Sequence, residues 1–569
     1  MSHKTLPLHC FFYLLCGIFI ISCNNSPRPG IKKIVTNPEE MDKEASGSTR
    51  EALAFALTNN GVIDDSTHLK FLPLVNEFYE KNDFQNVWSH KERWEPLSDS
   101  LLSFIKNSEL YGLFPKSYHF QSLEKLKQTL ESDSLKKMDA VMWSRADLLF
   151  TETFMHLLKD IKIGRLSPDS VLFHKDDSVT GKDFYTASLT EFIQHKQLTE
   201  LINAAEPKIQ GYVELKKSLP LFLDSMDRKQ YTYVPFPFKS KDVKDSTFFI
   251  KKFKKRLWES GYIKEDSLSL DSSQLNAAIK RVQKKKGIKQ DGKLSAALIG
   301  MINLSDIERF KRIAITLDRY KQLPSEMPET YILVNLPSYY MDVWNHDSVV
   351  INSKIICGKP DTRTPLLNSV ISDMVTYPTW TVPNSIITKQ YLPKLKMNPY
   401  YLSGIGLHLV NDKGETVDPK TINWAKYKKG IPYKVMQGSG DDNALGILKF
   451  NFNNPYSVYL HDTNQRYLFK NSSRALSHGC VRVQQWEELA FYIARNDSMN
   501  LKPGDLLRYN SDTIINLLAR KEKKRIAVKN GLPLFIAYFS CVGKDGKIKF
   551  YEDIYGEDKL ARERYFSEK

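Results

Sequence analysis

The strongest constraint on the fold is a short alternating run that is followed, further along the chain, by a cysteine. Residues 456–462 alternate apolar and polar side chains, which predicts a β-strand that ends at His461. Cys480 lies nineteen positions after that histidine and directly follows Gly479. A thiol becomes an effective nucleophile only when a neighbouring group lowers its pKa or takes its proton. The sequence therefore predicts a base at a strand end and a nucleophile on the next loop or strand.

The residues around this cysteine resemble those of a known family. Residues 459–463 (Tyr-Leu-His-Asp-Thr) and 477–482 (Ser-His-Gly-Cys-Val-Arg) together resemble the signature of the YkuD-type L,D-transpeptidases, bacterial cell-wall enzymes with a catalytic cysteine. Residues 377–383 and 437–446 resemble other segments of that catalytic domain. Most of the chain after about residue 70 is similar to the long, multidomain, YcbB-like members of the family.

The resemblance implies roles for five catalytic-loop residues. Cys480 is expected to be the nucleophile and His461 the general base and acid. Gly479 is expected to form the oxyanion loop, with its amide and that of Cys480 as candidate donors to a developing oxyanion. Ser477 and His478 are expected to shape the loop and its hydrogen bonds.

Three further residues are expected to bind substrate. Trp380 and Tyr459 are assigned to this role on the resemblance alone. Arg482 has two open alternatives, contact with a substrate carboxylate or an ion pair with a nearby acid. No metal site and no cofactor are predicted, because a structural zinc ion needs four ligands and no CxxC or HxxxH pattern accompanies the motif.

The reaction implied by the resemblance is acyl transfer between peptidoglycan stem peptides. Attack on the amide after a meso-diaminopimelate residue would release D-alanine and leave a thioester, which an amine of another stem resolves as a 3→3 crosslink. A hydrolase of the same fold, acting as L,D-endopeptidase or carboxypeptidase, is one alternative. A non-catalytic peptidoglycan-binding lipoprotein is another. Carbapenem-type inhibitors are expected to acylate the cysteine.

The N-terminus predicts export and lipidation. Lys4 precedes an apolar run that ends at a serine followed by Cys23, which resembles a bacterial lipobox. Residues 1–22 are therefore predicted to be a lipoprotein signal peptide and Cys23 the lipidated residue. The expected location is the cell envelope, facing the periplasm, with the membrane as a partner through the lipid.

Charge and cysteine content narrow the remaining function classes. The formal net charge is +16, and the basic residues are densest between residues 251 and 293. Nucleic acid is not an expected partner for an exported protein; attraction to an anionic wall polymer or lipid surface, or simply a solvated helix face, remain open. Cys357 and Cys541 lie in apolar runs, which favours buried strand residues over a disulfide, although pairing stays possible.

The predicted fold class is a multidomain α+β protein. It comprises an N-terminal helical scaffold, a small helical peptidoglycan-binding-like domain, and a β-rich YkuD-type catalytic domain with a capping insertion. The predicted segments are the signal (1–22), a tether (23–66), the scaffold (67–245), the peptidoglycan-binding-like domain (249–304), a connecting helix (305–329), the catalytic domain (330–510) with its cap (386–436), and a C-terminal extension packing on scaffold or catalytic domain (511–569).

Overall fold

The computed structural model describes residues 28–64, 67–166, 181–235, 246–264, 270–500 and 509–566. The predicted signal peptide and Cys23 lie outside these residues. The chain separates into two compact units, one at residues 1–106, 116–158 and 179–201, and one at residues 107–115, 159–178 and 202–569. Among the described residues, no helix is both long enough and apolar enough to cross a membrane.

The first unit is helical, as the 3.6-residue apolar spacing predicts. Its elements are α1 (Pro38–Thr58), α2 (Leu72–Lys81), β1 (Ser89–His90), β2 (Arg93–Trp94), α3 (Pro96–Lys106), α4 (Phe120–Ser132), α5 (Ser134–Lys137), α6 (Ala140–Lys162), α7 (Lys182–His195) and α8 (Leu198–Ala205), the last residues of α6 and α8 belonging to the second unit. Asp147 on α6 is buried and accepts hydrogen bonds from the Tyr79 hydroxyl and, at 2.8 Å, from the Trp88 amide. Burial raises the pKa of this carboxyl to about 7.

The predicted tether is wrong over residues 38–58, which form α1. Pro38 occupies the first turn, and Asn37 caps the helix by accepting the Glu39 amide at 3.1 Å. Met41 and Ala45 are buried in a core with residues of α4 and α6. Polar composition concealed this helix, because its apolar residues are few and small, yet they recur on one face.

A small three-helix core lies in the second unit, where the peptidoglycan-binding-like domain is predicted. Its helices are α10 (Ser246–Glu259), α11 (Ser272–Lys285) and α12 (Ala296–Asn303), preceded in the chain by α9 (Gln210–Ser225). Phe253, Ile279 and Leu298 meet in its core. Asp271 forms a capping box with Gln274 at the start of α11. The assignment of a wall-binding role stays a prediction.

The catalytic region is built on one large sheet. Its strands are β3 (Thr330–Asn335), β4 (Tyr340–Asn345), β5 (Ser348–Gly358), β6 (Leu367–Thr376), β11 (Leu448–Phe452), β12 (Leu460–His461), β13 (Ala475–Ser477), β14 (Val481–Val483) and β15 (Lys524–Ala537). Their order is β13-β5-β14-β12-β11-β6-β15-β3-β4, and a further β4–β5 pairing closes the sheet on itself. The predicted α+β multidomain class is confirmed.

Both faces of this sheet are covered. One face carries a core that includes Phe450, Leu460 and Val481, closed by α16 (Trp486–Met499) and α17 (Ser511–Ala519). The other carries α9 and α13 (Asp306–Tyr320), with β16 (Cys541–Lys544), β17 (Lys547–Phe550) and α18 (Glu557–Tyr565) nearby. The predicted connecting helix thus corresponds to α13, which is shorter than residues 305–329 and packs on the sheet rather than merely linking domains.

The C-terminal extension requires a second correction. Residues 511–569 are not only a segment packed on the outside, because β15 lies inside the sheet. It pairs in parallel with β3, where Leu534 lies opposite Ile332, and antiparallel with β6, where Ile526 lies opposite Met374. The catalytic sheet therefore needs residues beyond the predicted boundary at 510.

The predicted capping insertion folds around a core of its own. Its sheet has the order β7-β10-β8-β9, formed by β7 (Trp380–Thr381), β8 (Leu407–Val410), β9 (Thr416–Val417) and β10 (Lys434–Gln437). Helices α14 (Asn384–Ile386) and α15 (Leu392–Met397) flank a π-helical turn at Ile387–Tyr391. Leu395, Leu409 and Trp424 are buried together. The insertion is wider than residues 386–436, since its sheet begins at Trp380; we call it the cap.

Candidate active site

The register between β12 and β14 assembles the site. The two strands run parallel with Leu460 beside Val481, and both of these side chains are buried in the core. Because side chains alternate between the faces of a strand, the neighbouring positions point to the opposite face. That face presents Tyr459, His461, Cys480 and Arg482. The histidine thus lies at the end of β12, as predicted, and Cys480 directly precedes β14, the parallel neighbour of that strand.

His461 is buried, and its ring is fixed by the backbone. Its Nδ1 lies 2.5 Å from the carbonyl oxygen of Asp462, so this nitrogen is the protonated one in the neutral ring. Burial, followed by the charge of Arg482, lowers the pKa of His461 to about 3. The imidazole is therefore neutral, with Nε2 available as a proton acceptor.

Asp462 anchors this arrangement beneath the histidine. Its buried carboxylate accepts two hydrogen bonds from Arg466, at 3.0 and 2.7 Å, and one from the Ile447 amide at 3.1 Å. A Cβ at Gly446 would lie 2.3 Å from this carboxylate, so the left-handed turn at Gly446 admits no side chain. These contacts hold the carbonyl that orients His461.

The Cys480 thiol is half-buried, and Tyr459 is the residue that acts most strongly to lower its pKa. Burial raises the pKa of Cys480, while the Tyr459 amide, the Tyr459 hydroxyl, Lys449 and Arg482, in that order, act to lower it. The sulfur also lies 4.0 Å from the carbonyl oxygen of Ser457. Within the described residues, the thiol makes no hydrogen bond to His461.

Tyr459 is surrounded by groups that bear on its phenol. The Lys449 ammonium lies 3.9 Å from the centroid of its ring, and the His461 ring packs edge-on at 5.6 Å. Burial, followed by the interaction with Cys480, raises the pKa of Tyr459 well above its ordinary value, and Trp380 acts to lower it. Tyr459, predicted to bind substrate, therefore lies near the thiol, and the role of Trp380 in substrate binding stays a prediction.

The loop before the cysteine is fixed by Ser477. Its hydroxyl donates to the Cys480 carbonyl at 2.6 Å and accepts the Gly479 amide at 3.1 Å. Gly479 has a φ of +126°, a conformation that residues with a side chain rarely adopt. The prediction that the Gly479 amide is an oxyanion donor is wrong for this conformation, because Ser477 already occupies that amide.

A hydrogen-bond network supports the loop from β5 and the C-terminal segment. The Thr364 hydroxyl donates to the Gly479 carbonyl at 2.8 Å and accepts the Gly358 amide at 2.9 Å. Tyr555 donates from its hydroxyl to the Gly358 carbonyl at 2.7 Å and accepts the Thr364 amide at 3.2 Å. The C-terminal segment thus reaches the catalytic loop through one tyrosine.

His478 and Arg482 have different surroundings. His478 is exposed, and its Nε2 lies 2.6 Å from Nε2 of Gln390 in the cap; partial burial, then Lys359 and Arg482, lower its pKa. Arg482 donates to Gln465 at 3.1 Å, and its buried Nε has no hydrogen-bond partner. Among the described residues Arg482 forms no ion pair, and both predicted roles, contact with a substrate carboxylate or with a nearby acid, stay predictions.

The two other cysteines in the described part of the chain are free and buried, as predicted for strand residues. Cys357 lies on β5 and Cys541 on β16. Burial raises the pKa of Cys357 to about 11 and that of Cys541 to about 12. In the described part of the chain, no three His, Cys, Asp or Glu side chains are grouped so as to hold a metal ion.

One site residue, Lys449, was missed in the sequence. It lies beside His461 across the β11–β12 pairing. The only sequence signal was its place in the alternating run 447–452, where a charged residue separates apolar ones. That pattern is ordinary for a solvated strand position, and only the register reveals the neighbour.

Comparison with known families supports the interpretation of this site. Residues 329–503 match the L,D-transpeptidase catalytic domain of the YkuD family, and residues 73–219 match a scaffold domain. A Haemophilus influenzae protein, provisionally named an L,D-transpeptidase, is 33% identical over 249 residues, which are 44% of this chain and 48% of that protein. The match therefore spans about half the length of this relative.

Solved structures of proteins named L,D-transpeptidases superpose poorly on this chain. A mutant of the Enterococcus faecium L,D-transpeptidase is 14% identical, with a TM-score of 0.17 over 38% of this chain and 52% of that one. An L,D-transpeptidase from Stackebrandtia nassauensis is 15% identical, with a TM-score of 0.15 over 56% and 100% of the two chains. The resemblance rests on the sequence matches: residues 329–503 match the model of the L,D-transpeptidase catalytic domain of the YkuD type, and the preceding residues 73–219 match the model of a scaffold domain.

Proposed function

We propose that this chain is a lipid-anchored cell-wall transpeptidase that forms a thioester on Cys480 and joins peptidoglycan stems through 3→3 crosslinks. One observation carries the proposal. The β12–β14 register places a neutral, backbone-held His461 and the Cys480 thiol on one face of the sheet, within the segment that matches the catalytic domain.

Activation of the thiol is the first step. Tyr459 and the charges of Lys449 and Arg482 act to lower the pKa of the Cys480 thiol and so favour the thiolate. His461 accepts the thiol proton at Nε2, since Nδ1 is committed to the Asp462 carbonyl. His461 lies opposite Arg482 on the neighbouring strand, so Cys480, which comes two residues before Arg482, is a diagonal neighbour of His461. Adjacent strands are about 4.8 Å apart. Closing that gap requires a small side-chain adjustment when substrate binds.

Acylation follows from the thiolate. The sulfur attacks the carbonyl carbon of the amide after meso-diaminopimelate, and the π electrons move onto the oxygen. The Cys480 amide, which has no hydrogen-bond partner among the described residues, is the proposed donor to that oxyanion in place of Gly479. The carbon–nitrogen bond then breaks, His461 returns its proton to the departing D-alanine amine, and a thioester remains.

The acceptor decides the product. An amine of a second stem attacks the thioester carbonyl, loses a proton to His461, and releases the thiol as a 3→3 crosslink forms. Water in the same position would give hydrolysis. Arg482, which has an unpartnered buried Nε, is the proposed contact for a stem carboxylate.

The test is muropeptide analysis after incubation of the protein with disaccharide-tetrapeptides. A crosslinked dimer with loss of one D-alanine is the expected product, and Cys480→Ala should give none. The matched control is Cys541→Ala, which removes a buried thiol elsewhere on the same chain and should leave product formation intact. Tripeptide monomers without dimers would show that the protein hydrolyses its substrate and does not crosslink it. A crosslinked product from Cys480→Ala would refute the thioester on Cys480.

The lipid anchor is a separate part of the proposal and rests on the sequence before residue 24. Cys23→Ala should abolish incorporation of labelled fatty acid and shift the protein from membranes to the soluble envelope fraction. Cys16→Ala, in the apolar run of the signal, should change neither. Fatty-acid labelling that persists in Cys23→Ala would overturn this assignment.

The carbapenem expectation rests on the same nucleophile. Attack of the thiolate on a strained lactam carbonyl forms the thioester as the ring C–N bond breaks, and the protonated amine stays tethered to the acyl group, so the acyl-enzyme persists. Intact-protein mass spectrometry after meropenem treatment should show one stoichiometric adduct, lost in Cys480→Ala. An adduct that remains in that variant would show that another residue is the nucleophile.

A further inference from the structure

The peptide group between Gly479 and Cys480 is held at its carbonyl end by a residue that the catalytic proposal does not use. The Thr364 hydroxyl donates to the Gly479 carbonyl oxygen at 2.8 Å. The N–H of the same peptide group belongs to Cys480 and is the proposed donor to the oxyanion. Because a trans peptide is planar, its carbonyl and its N–H point in opposite directions. A group that holds the Gly479 oxygen therefore also sets the direction of the Cys480 N–H.

The direction of the Thr364 hydroxyl is itself fixed. Its oxygen accepts the Gly358 amide at 2.9 Å, which leaves the hydroxyl proton for the Gly479 carbonyl. The Thr364 side chain is buried, so solvent has little access to either bond. A hydrogen bond accepted by a carbonyl oxygen also polarises the peptide and makes its N–H a stronger donor. Thr364 can therefore both aim and strengthen the Cys480 N–H.

Tyr555 completes a ring of three hydrogen bonds around Thr364. The Thr364 amide donates to the Tyr555 hydroxyl oxygen at 3.2 Å, which leaves the tyrosine proton for the Gly358 carbonyl at 2.7 Å. The third bond of the ring runs from the Gly358 amide to the Thr364 hydroxyl. A Cβ at Gly358 would lie 2.8 Å from the Thr364 nitrogen, so this close approach requires glycine. The ring holds Thr364 against the catalytic loop.

The neighbours of Thr364 in the chain hold the loop at a different point. The Lys359 amide and the Thr362 hydroxyl both donate to the Ser477 carbonyl, at 3.0 and 3.1 Å. These two bonds fix the start of the loop. Among the hydrogen bonds of the described residues, only that of Thr364 reaches the Gly479 carbonyl. Control of the Gly479–Cys480 peptide can therefore be tested at one side chain.

We propose that Thr364, held in place by Tyr555, is a positioning residue that aims the Cys480 N–H at the oxyanion formed during acylation. The inference rests on the proposed acylation of Cys480 and deepens it by naming the side chain that prepares the oxyanion donor. The negative charge that this N–H stabilises appears on the substrate oxygen when the sulfur bonds to the carbonyl carbon. Thr364 itself exchanges no proton and acts through the peptide group alone.

Two thiol reagents separate this role from a general effect on the loop. Attack on the lactam carbonyl of meropenem forms an oxyanion. With iodoacetamide, the thiolate displaces iodide from a saturated carbon, so a carbon–sulfur bond forms as the carbon–iodine bond breaks and no oxyanion arises. Loss of an aimed oxyanion donor lowers the first rate only, whereas a displaced thiol changes both. The ratio of the meropenem rate to the iodoacetamide rate is therefore the quantity to measure.

The experiment determines both rates at Cys480 in the full chain at pH 7, by mass spectrometry. Thr364→Val keeps the shape of the side chain without its hydroxyl and should lower the ratio about tenfold. This is less than the ~10²–10³-fold cost of deleting an oxyanion donor, because the N–H remains. Thr364→Ser restores the hydroxyl and should return the ratio to within about threefold of the wild type.

Thr376→Val is the matched control. The Thr376 hydroxyl, buried on β6, also donates to a carbonyl, that of Glu522 at 2.7 Å, and accepts an amide, that of Lys524 at 3.1 Å. Its loss should cost stability without changing the ratio. Tyr555→Phe keeps the aromatic ring and opens the hydrogen-bond ring, so the ratio should fall about threefold; this variant also decides the question should Thr364→Val fail to fold.

Three outcomes would overturn the inference. One is an unchanged ratio in Thr364→Val or, should that variant not fold, in Tyr555→Phe. Another is an equal fall of both rates in Thr364→Val, which would reduce Thr364 to a structural residue. The third is a ratio in Thr364→Ser as low as in Thr364→Val, because the hydroxyl would then not be the cause.

Muropeptide analysis of the wild type separates this inference from the proposed function. A lowered ratio in Thr364→Val without crosslinked product from the wild type would retain Thr364 as a positioning residue and reject transpeptidation. Crosslinked product with an unchanged ratio would do the reverse. A wild type that meropenem does not acylate would overturn both the inference and the carbapenem expectation.

Discussion

Cys480, directly before β14, and Cys541, on β16, carry the same thiol in surroundings of different exposure. Cys541 is fully buried, and its sulfur lies 3.3 Å from the Thr316 hydroxyl and 3.8 Å from the Arg312 carbonyl. Burial raises its pKa to about 12. Cys480 is half-buried, and burial raises its pKa as well, against the opposing effects of Tyr459, Lys449 and Arg482.

Donors and cations do not by themselves distinguish the two thiols, because Thr316, Arg312 and Arg319 act to lower the pKa of Cys541 as Tyr459, Lys449 and Arg482 act to lower that of Cys480. The two cysteines differ in access and in their neighbours. Cys480 is half-buried, and the register of β12 and β14 places it on the face that carries His461. Cys541 is fully buried against α13 and has no histidine beside it among the described contacts. Strand register therefore decides which of the two thiols has a base as its neighbour.

The largest expected effect is the difference in thiol reactivity between these two regions. At pH 7 and with the protein folded, iodoacetamide should modify Cys480 at least ~10³-fold faster than Cys541, since both the thiolate fraction and the access favour Cys480. Peptide mass spectrometry on a time course measures both rates in one sample. In 6 M guanidinium chloride the two rates should converge, and comparable rates in the folded protein would contradict the distinction.

The next effect concerns His461, which lies on the same face of the sheet as Cys480. His461→Ala should slow acylation of Cys480 by meropenem at least ~10²-fold, the usual contribution of a general base. His478→Ala removes an exposed histidine two residues from the thiol and should cost less than tenfold. Stopped-flow or mass-spectrometric acylation rates give both values, and a reversed order would transfer the role of base to His478.

A smaller effect is expected from alanine substitution of one glycine with positive φ in each region. Gly479 has a φ of +126° and Gly546, in the β16–β17 turn, a φ of +72°; a Cβ would meet nothing closer than 3.6 Å at either. Alanine at each position should therefore cost about 1–3 kcal/mol through backbone strain alone. Gly479→Ala should also lower the acylation rate about tenfold, because the loop twists, whereas Gly546→Ala should not. Equal activity of both variants would show that the loop geometry is not needed.

Sequence analysis could identify the parts of this site that are local. One short stretch of specific spacing contains His461, the Ser477–Gly479 turn and Cys480. The aromatic-rich insertion predicted the cap. Sequence analysis could not place Lys449 beside His461 or Tyr459 beside the thiol, because these contacts depend on pairing register. Nor could it place β15 between β3 and β6, a pairing across about 150 to 200 residues of chain, since periodicity describes a strand but not its neighbours.

The smallest difference in measured Tm is expected in the response of the two regions to mild acid. The pKa of His461 is about 3 in the folded protein, below the ordinary value of 6.5, so the unfolded chain binds more protons at this residue as pH falls below 6.5. The stability that the neutral imidazole contributes is then lost between pH 6.5 and pH 3, by at most about 1.4 kcal/mol per pH unit.

Behind the Cys541 hairpin, Asp558 behaves differently. Burial is opposed there by Arg319 and Arg312, which lower the pKa of this carboxylate below 3.8, so its contribution is retained until the pH falls below that value. Between pH 6.5 and pH 4.5 the contribution of His461 to the free energy of unfolding should therefore fall, while that of Asp558 should not. The Tm of the wild type should fall more steeply over this interval than that of His461→Gln, while the exposed-site variant His346→Gln should follow the wild type. Parallel Tm curves for all three proteins would show that His461 is not held neutral, and the assignment of its Nε2 as the proton acceptor would have to be abandoned.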